Sequence, residues 1–323
     1  MGGKLRIQLK KEYIMISIPC TAYILQVHQN PNQVNHFIRQ LISEQQADVF
    51  VHIDKKNSQK INGQIIKNPR VKILHRSINC EWGDISQVDA TLLLLREVLA
   101  SRKQYDFVCL RSGQDLLVKN HYKDFLLDNK GKIFMSNRNI SIKDAGLMKI
   151  QWPKIARKRY TSAHPIRIYR RGLLSLYNKG MNIFPNLNKW PKDYLFYKGS
   201  QWFSIPYEVA KYIITFIDEN EWYYKFFENT LVPDESFFHT LIMNSYYKKD
   251  VVNNNLYFLK WGETLSERNS PQYLTRKDIT SIESSDCFFA RKFSEDIDDS
   301  VIEYFANKVR FGGKRESDHK IFH

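Results

Sequence analysis

The chain lacks most of the short signatures that announce a chemistry. No G-x-G-x-x-G follows a strand and no G-x-x-x-x-G-K-[ST] occurs, so neither a dinucleotide fingerprint nor a P-loop is supported. The absence of G-x-S-x-G weakens a hydrolase reading, and no H-E-x-x-H offers a zinc pair on a helix. Cysteine is scarce: Cys20, Cys80, Cys109 and Cys287 are widely spaced with no C-x-x-C, which argues against a zinc ribbon or redox pair. Each lies beside apolar residues and reads as a buried free thiol in a reducing compartment. No window reaches the roughly 18 apolar residues needed to span a bilayer. The start, "MGGKLRIQLKKEYIMISIPCTAYILQV", is basic and then apolar, yet shows no convincing small-residue cleavage site. No export signal is expected: residues 1–20 read as an arm running into the first strand, with Met1–Lys11 a tag, a start-site extension or a short arm. Negative charge is also short, with 34 Asp and Glu against 49 Lys and Arg, a formal charge of +15. Such a balance suits nucleic acid, an anionic membrane face, or a polyphosphate or acidic glycan substrate.

Hydrophobic residues make up 43% of the chain, including 20 Phe, 18 Tyr and 6 Trp, so a sizeable core is possible and global disorder is not expected. The first third alternates strand and helix patterns. "TAYILQVH", "ADVFVHID", "RVKILH" and "YDFVCLRSGQD" read as strands, the last running into a Gly loop. Between them, "NQVNHFIRQLISEQ" carries Val34, Phe37, Ile38, Leu41 and Ile42 at helical spacing, and "DISQVDATLLLLREVLAS" is a long helix. This alternation predicts an α/β fold with a mostly parallel central sheet flanked by helices. In such sheets ligands sit outside the carboxyl ends of the strands. Here those ends carry His28, Asp54 and Gly113-Gln114-Asp115, a reasonable place for a nucleotide.

Residues 137–191 are basic, aromatic and weakly periodic, and read as a long insertion with short helices. Much of the positive charge lies in Lys149–Gly180. It suits either a solvated face or a docking surface for phosphates or lipid head groups. Beyond it, "YKGSQWFSIP" is a turn and strand, "YEVAKYIITFIDEN" an amphipathic helix and "NNLYFLKW" a strand. "RKDITSIESSDCFFARKFS" is a helix followed by an exposed basic turn, and "DDSVIEYFANKV" is a closing helix. Residues 21–311 read as a single domain, with 312–323 a mobile tail.

Two carboxylate patterns stand out. Asp296-Ile297-Asp298 is a D-x-D just before a helix, and helix capping explains it. "PDESFFHTLI" places Asp234 and Glu235 after Pro233 at a helix start. Capping and dipole complementarity would explain them; so would a general base held at a helix N-terminus. Trp202 and Trp261, each near a strand end, suit either stacking on a sugar face or core packing.

Taken together, "AYILQVHQNPNQVNHFIRQL", "VFVHIDKK", "FVCLRSGQDLLVK", "GSQWFSIP", "PDESFFHTLI" and "CFFARKF" resemble the core-2/I-branching β-1,6-N-acetylglucosaminyltransferase family, which includes the peptide O-xylosyltransferases. The chain is similar to a bacterial-type member. The resemblance spans roughly Ala22–Val309. It implies a GT-A-like fold, a UDP-sugar donor and inverting transfer, with no obligatory cofactor and neither Mn²⁺ nor Mg²⁺ required. It implies that Glu235 is the catalytic base. On the donor side it implies Val27 and Asp54 at strand ends, Trp82 near the uracil or ribose, and Gly113 with Asp115 where metal-using relatives carry D-x-D. Gly113 stands at the first carboxylate, so a metal pair is incomplete. Lys292 matches a lysine that neutralises the diphosphate in place of a metal. Its partner arginine is assigned to Arg268, one position from the family spacing, with Arg276 and Arg291 as alternatives. Ser200, Trp202, Asp234 and Trp261 fall to the acceptor side.

The implied mechanism is physically coherent. A glutamate with an ordinary pKa near 4.3 is ionised at neutral pH and can take the proton of an attacking hydroxyl. Negative charge on the departing UDP needs preplaced cations, which Lys292 and an arginine supply. UDP-GlcNAc is the default donor, with UDP-xylose and UDP-glucose open. The acceptor is expected to be a glycan or lipid-linked glycan. The expected location is the cytoplasm or the cytoplasmic face of a membrane, with residues 149–179 against anionic lipid. No nucleic acid is expected, because no helix-turn-helix, zinc-finger or RNP signature is present. A nucleic-acid-binding protein and a catalytically silent glycan-binding relative are the competing readings.

Overall fold

A computed structural model describes residues 21–264 and 270–311. The opening pattern is realised as β1 (Thr21–Val27), α1 (Pro31–Ser43), β2 (Asp48–Ile53), α2 (Ser58–Ile61) and β3 (Val71–Ile73). Next come α3 (Ser86–Ala100), β4 (Phe107–Ser112), β5 (Asp115–Leu117), α4 (Tyr122–Asp128) and β6 (Ile133–Met135). The insertion holds β7 (Arg138–Asn139), α5 (Ile142–Lys149) and α6 (Pro165–Asn178). After it follow β8 (Tyr197–Lys198), β9 (Phe203–Pro206), α7 (Tyr207–Glu219), α8 (Glu221–Phe227) and α9 (Phe237–Met243). The chain then adds β10 (Val251–Val252), β11 (Tyr257–Leu259), α10 (Ile279–Glu283), β12 (Phe289–Arg291) and α11 (Asp299–Phe311).

The main sheet has seven strands in the order β10-β6-β9-β4-β1-β2-β3. β4, β1, β2 and β3 run parallel, while β9 is antiparallel to both β4 and β6. β1 is buried along its whole length, as a central parallel strand covered on both faces must be. Val34, Phe37, Ile38 and Leu41 of α1 are fully buried, so the helical spacing marks the face laid on the sheet. Gln40 on the same face is buried too. Its amide donates to Leu117 O and Phe305 O and accepts from Leu117 N, tying α1 to β5 and α11. The result is an α/β fold of GT-A-like type, a mostly parallel central sheet flanked by helices.

Three local expectations are corrected. "ARKF" is not an exposed turn: Phe289 and Ala290 are buried, and β12 pairs with β11 on one side and β5 on the other. The insertion is more regular than its weak periodicity suggests. α6 runs for 14 residues, with Arg170 and Leu173 buried along its inner side. Its basic character hid this, because Arg170 faces inward. "PDE" does not open an α-helix. Pro233–Glu235 form a 3₁₀ turn entered through a left-handed Val232, and neither this turn nor α9 has a side-chain cap. Burial of Phe237 and Phe238 sets where α9 begins. Asp298 behaves as read: it accepts from Val301 N at the start of α11 and from Arg276 N.

Candidate active site

β1 is the strand at which the order reverses, with β2 and β3 on one side and β4 on the other. The crevice beyond its carboxyl end is where such sheets bind ligands. Val27 ends β1, and its carbonyl accepts from Asp54 N. The Asp54 carboxylate accepts from Lys56 N at 2.9 Å. Lys56 reaches on to Cys80 O and pairs with Glu81 at 2.8 Å, so the Asp54 loop is fastened to the loop that carries Trp82. Trp82 is 43% exposed, with the Arg170 guanidinium 5.9 Å from its ring. Gly113 closes onto Gln26 O, and a Cβ there would stand 2.9 Å from Val34 Cγ2. The close approach of α1 therefore leaves no room for a carboxylate at the first D-x-D position.

Asp115 lies wholly inside the protein. Its carboxylate accepts from Ser112 N and Tyr257 Oη, each at 2.7 Å, and sits 3.5 Å from Arg291 Nε. Burial pushes its pKa up, against the pull of Arg291 and the two hydrogen bonds. Asp115 is thus committed to protein partners. Arg291 in turn stacks 4.2 Å over Trp202. Trp202 is 8% exposed, so it stands in the core with one face taken, and the sugar-stacking expectation does not fit its placement. Trp261 is 51% exposed and keeps a free surface.

Lys292 follows in the chain. Among the described residues, its Nζ donates to Ser270 Oγ at 3.0 Å and lies 4.3 Å from the Tyr273 ring, with no carboxylate paired to it. Burial holds its pKa below the usual lysine range, and the positive charges of Arg159 and Arg291 push the same way. His28 is lowered by burial too; Asp54 opposes the shift while Arg291 and Lys292 add to it. These groups therefore share one electrostatic neighbourhood. Arg268 lies outside the described residues. Arg276 is exposed, and its backbone N–H donates to Asp298.

The Glu235 carboxylate forms an ion pair with Lys198 at 2.9 Å, and its carbonyl accepts from Gly199 N at 2.8 Å. Lys198 also lies 4.0 Å from Asp144. A Cβ on Gly199 would meet Ser136 O at 1.8 Å, so this strand-to-turn junction admits only glycine. Ser200 is held through its backbone, its N–H donating to Ser136 Oγ and its carbonyl accepting from His239 Nε2. Burial keeps His239 neutral, with its pKa lowered to about 4. Asp234 has an Oδ1 with no partner, and burial followed by the Glu235 charge pushes its pKa up to about 7. Capping, the simpler reading of "PDE", is not what these carboxylates do.

Residues 198–202 connect the two halves. Lys198 holds Glu235, Gln201 donates to Gln26 Oε1 at 3.3 Å, and Trp202 supports Arg291. Lys198 and Arg159 went unread in the sequence because their partners, Glu235 and Lys292, lie far away along the chain. Among the described residues no group of His, Cys, Asp and Glu is arranged to hold a metal ion. Nor is any helix there long and apolar enough to cross a membrane. Two surface clefts, one at the β3 edge and one beside α11, contain none of these site residues. The strand-end crevice concentrates the chemistry instead.

Comparison with known proteins bears on this arrangement. The core-2/I-branching enzyme family matches residues 21–283, which contain the strand ends at Val27 and Asp54, the insertion and the PDE turn. The chain belongs to that family. Xylosyltransferase oxt of Drosophila pseudoobscura pseudoobscura is 25% identical over 293 residues, covering 84% of this chain and 31% of that protein. A xylosyltransferase of Ciona intestinalis is 23% identical over 89% of this chain, and xylosyltransferase 2 of Homo sapiens 23% identical over 87%. The chain spans about a third of the length of these curated relatives. They are animal proteins, so they lend no support to a bacterial-type placement within the family. The family match stops short of β12 and α11, which carry Arg291 and pack on α1.

Proposed function

We propose that the chain is an inverting glycosyltransferase that moves a sugar from a UDP-sugar to a hydroxyl of a glycan or lipid-linked glycan. In this reading Glu235 accepts the hydroxyl proton as the acceptor oxygen bonds to the anomeric carbon. The bond from that carbon to the β-phosphate oxygen breaks, and UDP leaves with its charge met by Lys292 and Arg291. Lys198 keeps the Glu235 carboxylate oriented before transfer. Asp54 and Trp82 take the nucleoside. No divalent ion is required, because Lys292 and Arg291 supply the positive charge directly. GlcNAc remains the default sugar, and the xylosyltransferase relatives bring UDP-xylose level with it.

The observation that carries the proposal is the Lys198–Trp202 segment. Its two ends hold Glu235, through Lys198, and Arg291, through Trp202, and the backbone between those two residues spans at most about 14 Å in extended chain. That is the polarity a displacement at carbon needs: a base on one side of the sugar and cations behind the leaving group. Turnover of a UDP-sugar panel on glycan acceptors tests it, and retention of full turnover by Glu235→Gln would sink the base assignment. One observation favours a second reading of the base. Asp234 has a buried Oδ1 with no partner next to Glu235, and burial raises its pKa toward the range that suits neutral-pH proton transfer. Asp234→Asn separates the two.

A further inference from the structure

We propose that the outer face of the insertion docks on an anionic lipid bilayer. Between Asp144 and Asp193 the chain carries eleven Lys and Arg and no Asp or Glu. Two of the arginines are drawn inward: Arg157 pairs with Asp84 at 2.7 Å, and Arg170 packs between Trp82 and Tyr160. Lys154, Lys158, Arg171 and Lys179 stay exposed. A solvated basic face would explain charge alone, but the same segment also exposes large apolar side chains. Ile155, Ile168 and Ile183 are each 57% exposed, Phe184 47% and Leu187 84%. Soluble surfaces usually scatter such residues singly.

The apolar residues are not left over from loose packing. The inner side of α6 is filled: a Cβ at Gly146 of α5 would meet Leu174 and Tyr177 at 2.8 and 3.1 Å. Ile168 points away from that contact and is surplus to it. The stretch bearing Ile183, Phe184 and Leu187 is fixed by backbone bonds, Gln151 N to Phe184 O at 2.8 Å and Asn186 N to Lys149 O at 2.9 Å. Exposed aliphatic and aromatic groups in one segment with cations that pair with no carboxylate among the described residues match the interface of an anionic bilayer, where apolar groups enter the acyl boundary and cations meet phosphates. Nucleic acid would use the charge and leave the isoleucines and Leu187 in water.

The insertion also holds the reaction loop. Trp152 N donates to Asn229 O at 2.8 Å and Leu231 N to Leu147 O at 3.0 Å, just upstream of the PDE turn. Docking would therefore fix Glu235 relative to the membrane, where a lipid-linked acceptor is presented. Only this last link rests on the proposed transferase function.

Sedimentation of the full chain with vesicles tests the docking. One set is phosphatidylcholine alone and the other is equal parts phosphatidylcholine and phosphatidylglycerol. The protein should pellet with the anionic vesicles only. Phe184→Ser with Leu187→Ser should weaken that binding about tenfold or more, and Lys154→Glu with Arg171→Glu should abolish it at moderate salt. Both double variants should keep the wild-type melting temperature and UDP affinity. Failure to pellet at low salt would overturn the proposal, as would unchanged pelleting of the apolar double variant or equally tight binding of duplex DNA. A dimer that the apolar double variant disrupts would assign the face to a second copy instead. UDP binding, measured in parallel, distinguishes the two proposals: vesicle binding without UDP binding sinks the transferase reading, and the converse sinks docking alone.

Discussion

The two charged centres of the site are built in opposite ways. At Glu235 the charges are balanced: Lys198 meets the carboxylate at 2.9 Å, and Asp144, 4.0 Å from the same ammonium, pairs with Arg138 at 2.7 Å. At Lys292 they are not. Asp115 offsets Arg291, but among the described residues Lys292 has only a hydroxyl and a ring against it, with Arg159 adding like charge. Half-buried positive charge without a carboxylate is costly unless an anion arrives. The contrast separates the two tasks. A base must already hold its negative charge in the resting protein, whereas a site for a leaving diphosphate gains by keeping cations in reserve.

Substitutions can break this comparison. The largest effect is expected from Glu235→Gln, which should lower turnover by about 10²–10⁴-fold while UDP affinity stays unchanged by calorimetry. If Asp234→Asn shows that loss instead, the base is Asp234. Lys292→Ala should remove about 3 kcal/mol of transition-state stabilisation, on the order of a hundredfold in kcat, and should weaken UDP as well. Gly199→Ala drives a Cβ against Ser136 O and should cost about 3 kcal/mol of stability, read as a lower chemical-denaturation midpoint. Activity should fall with it, because Gly199 N holds the Glu235 carbonyl.

The pH dependence of stability sharpens the contrast at smaller scale. Asp234 has a folded pKa of about 7 against 3.8 for the free group, so the folded state binds the extra proton. Its contribution is fully present below about pH 4 and is lost as pH rises through 7. His239 and His52, lowered to about 4 from 6.5, act oppositely: their contribution is present above 6.5 and is lost as pH falls through 4. In the shared window Asp234 cancels one histidine. Asp234→Asn should therefore steepen the acid loss of stability by at most about 1.4 kcal/mol per pH unit, measured by urea unfolding between pH 4.5 and 6.5. A slope that stays the same would place the Asp234 carboxyl in ordinary solvent contact. The smallest effect is expected from Arg159→Ala, about tenfold in UDP affinity or roughly 1.4 kcal/mol. It should also raise the Lys292 pKa, visible as an upward shift in the alkaline limb of UDP binding.

Much of the sheet was legible because its signals are local. β1 and β2 are short runs dominated by apolar residues, and the Val34–Phe37–Ile38–Leu41 spacing marks the buried face of α1. The positions of Asp54, Gly113 and Asp115 at strand ends followed from the same alternation. Interactions between distant stretches were not legible. Lys198 meets Glu235 across 37 positions, and Asp115 meets Arg291 across a strand pairing that brings two chain regions together. Trp202 looked equally suited to sugar or core, and only the Arg291 guanidinium on its face resolves where it stands. The basic insertion misled in composition: a run rich in arginine reads as surface, yet Arg157 and Arg170 are interior struts. The 3₁₀ turn at Pro233 depends on a left-handed Val232, a conformation that β-branched residues rarely announce.

The most direct test of the central claim is calorimetric titration with UDP-GlcNAc, UDP-xylose and UDP-glucose, in EDTA and then with Mn²⁺, on the wild type and Lys292→Ala. The account predicts that one donor binds equally well with and without the metal, and that Lys292→Ala weakens it under both conditions. Binding that appears only with Mn²⁺, or that is indifferent to Lys292→Ala, would contradict a cation-based diphosphate site.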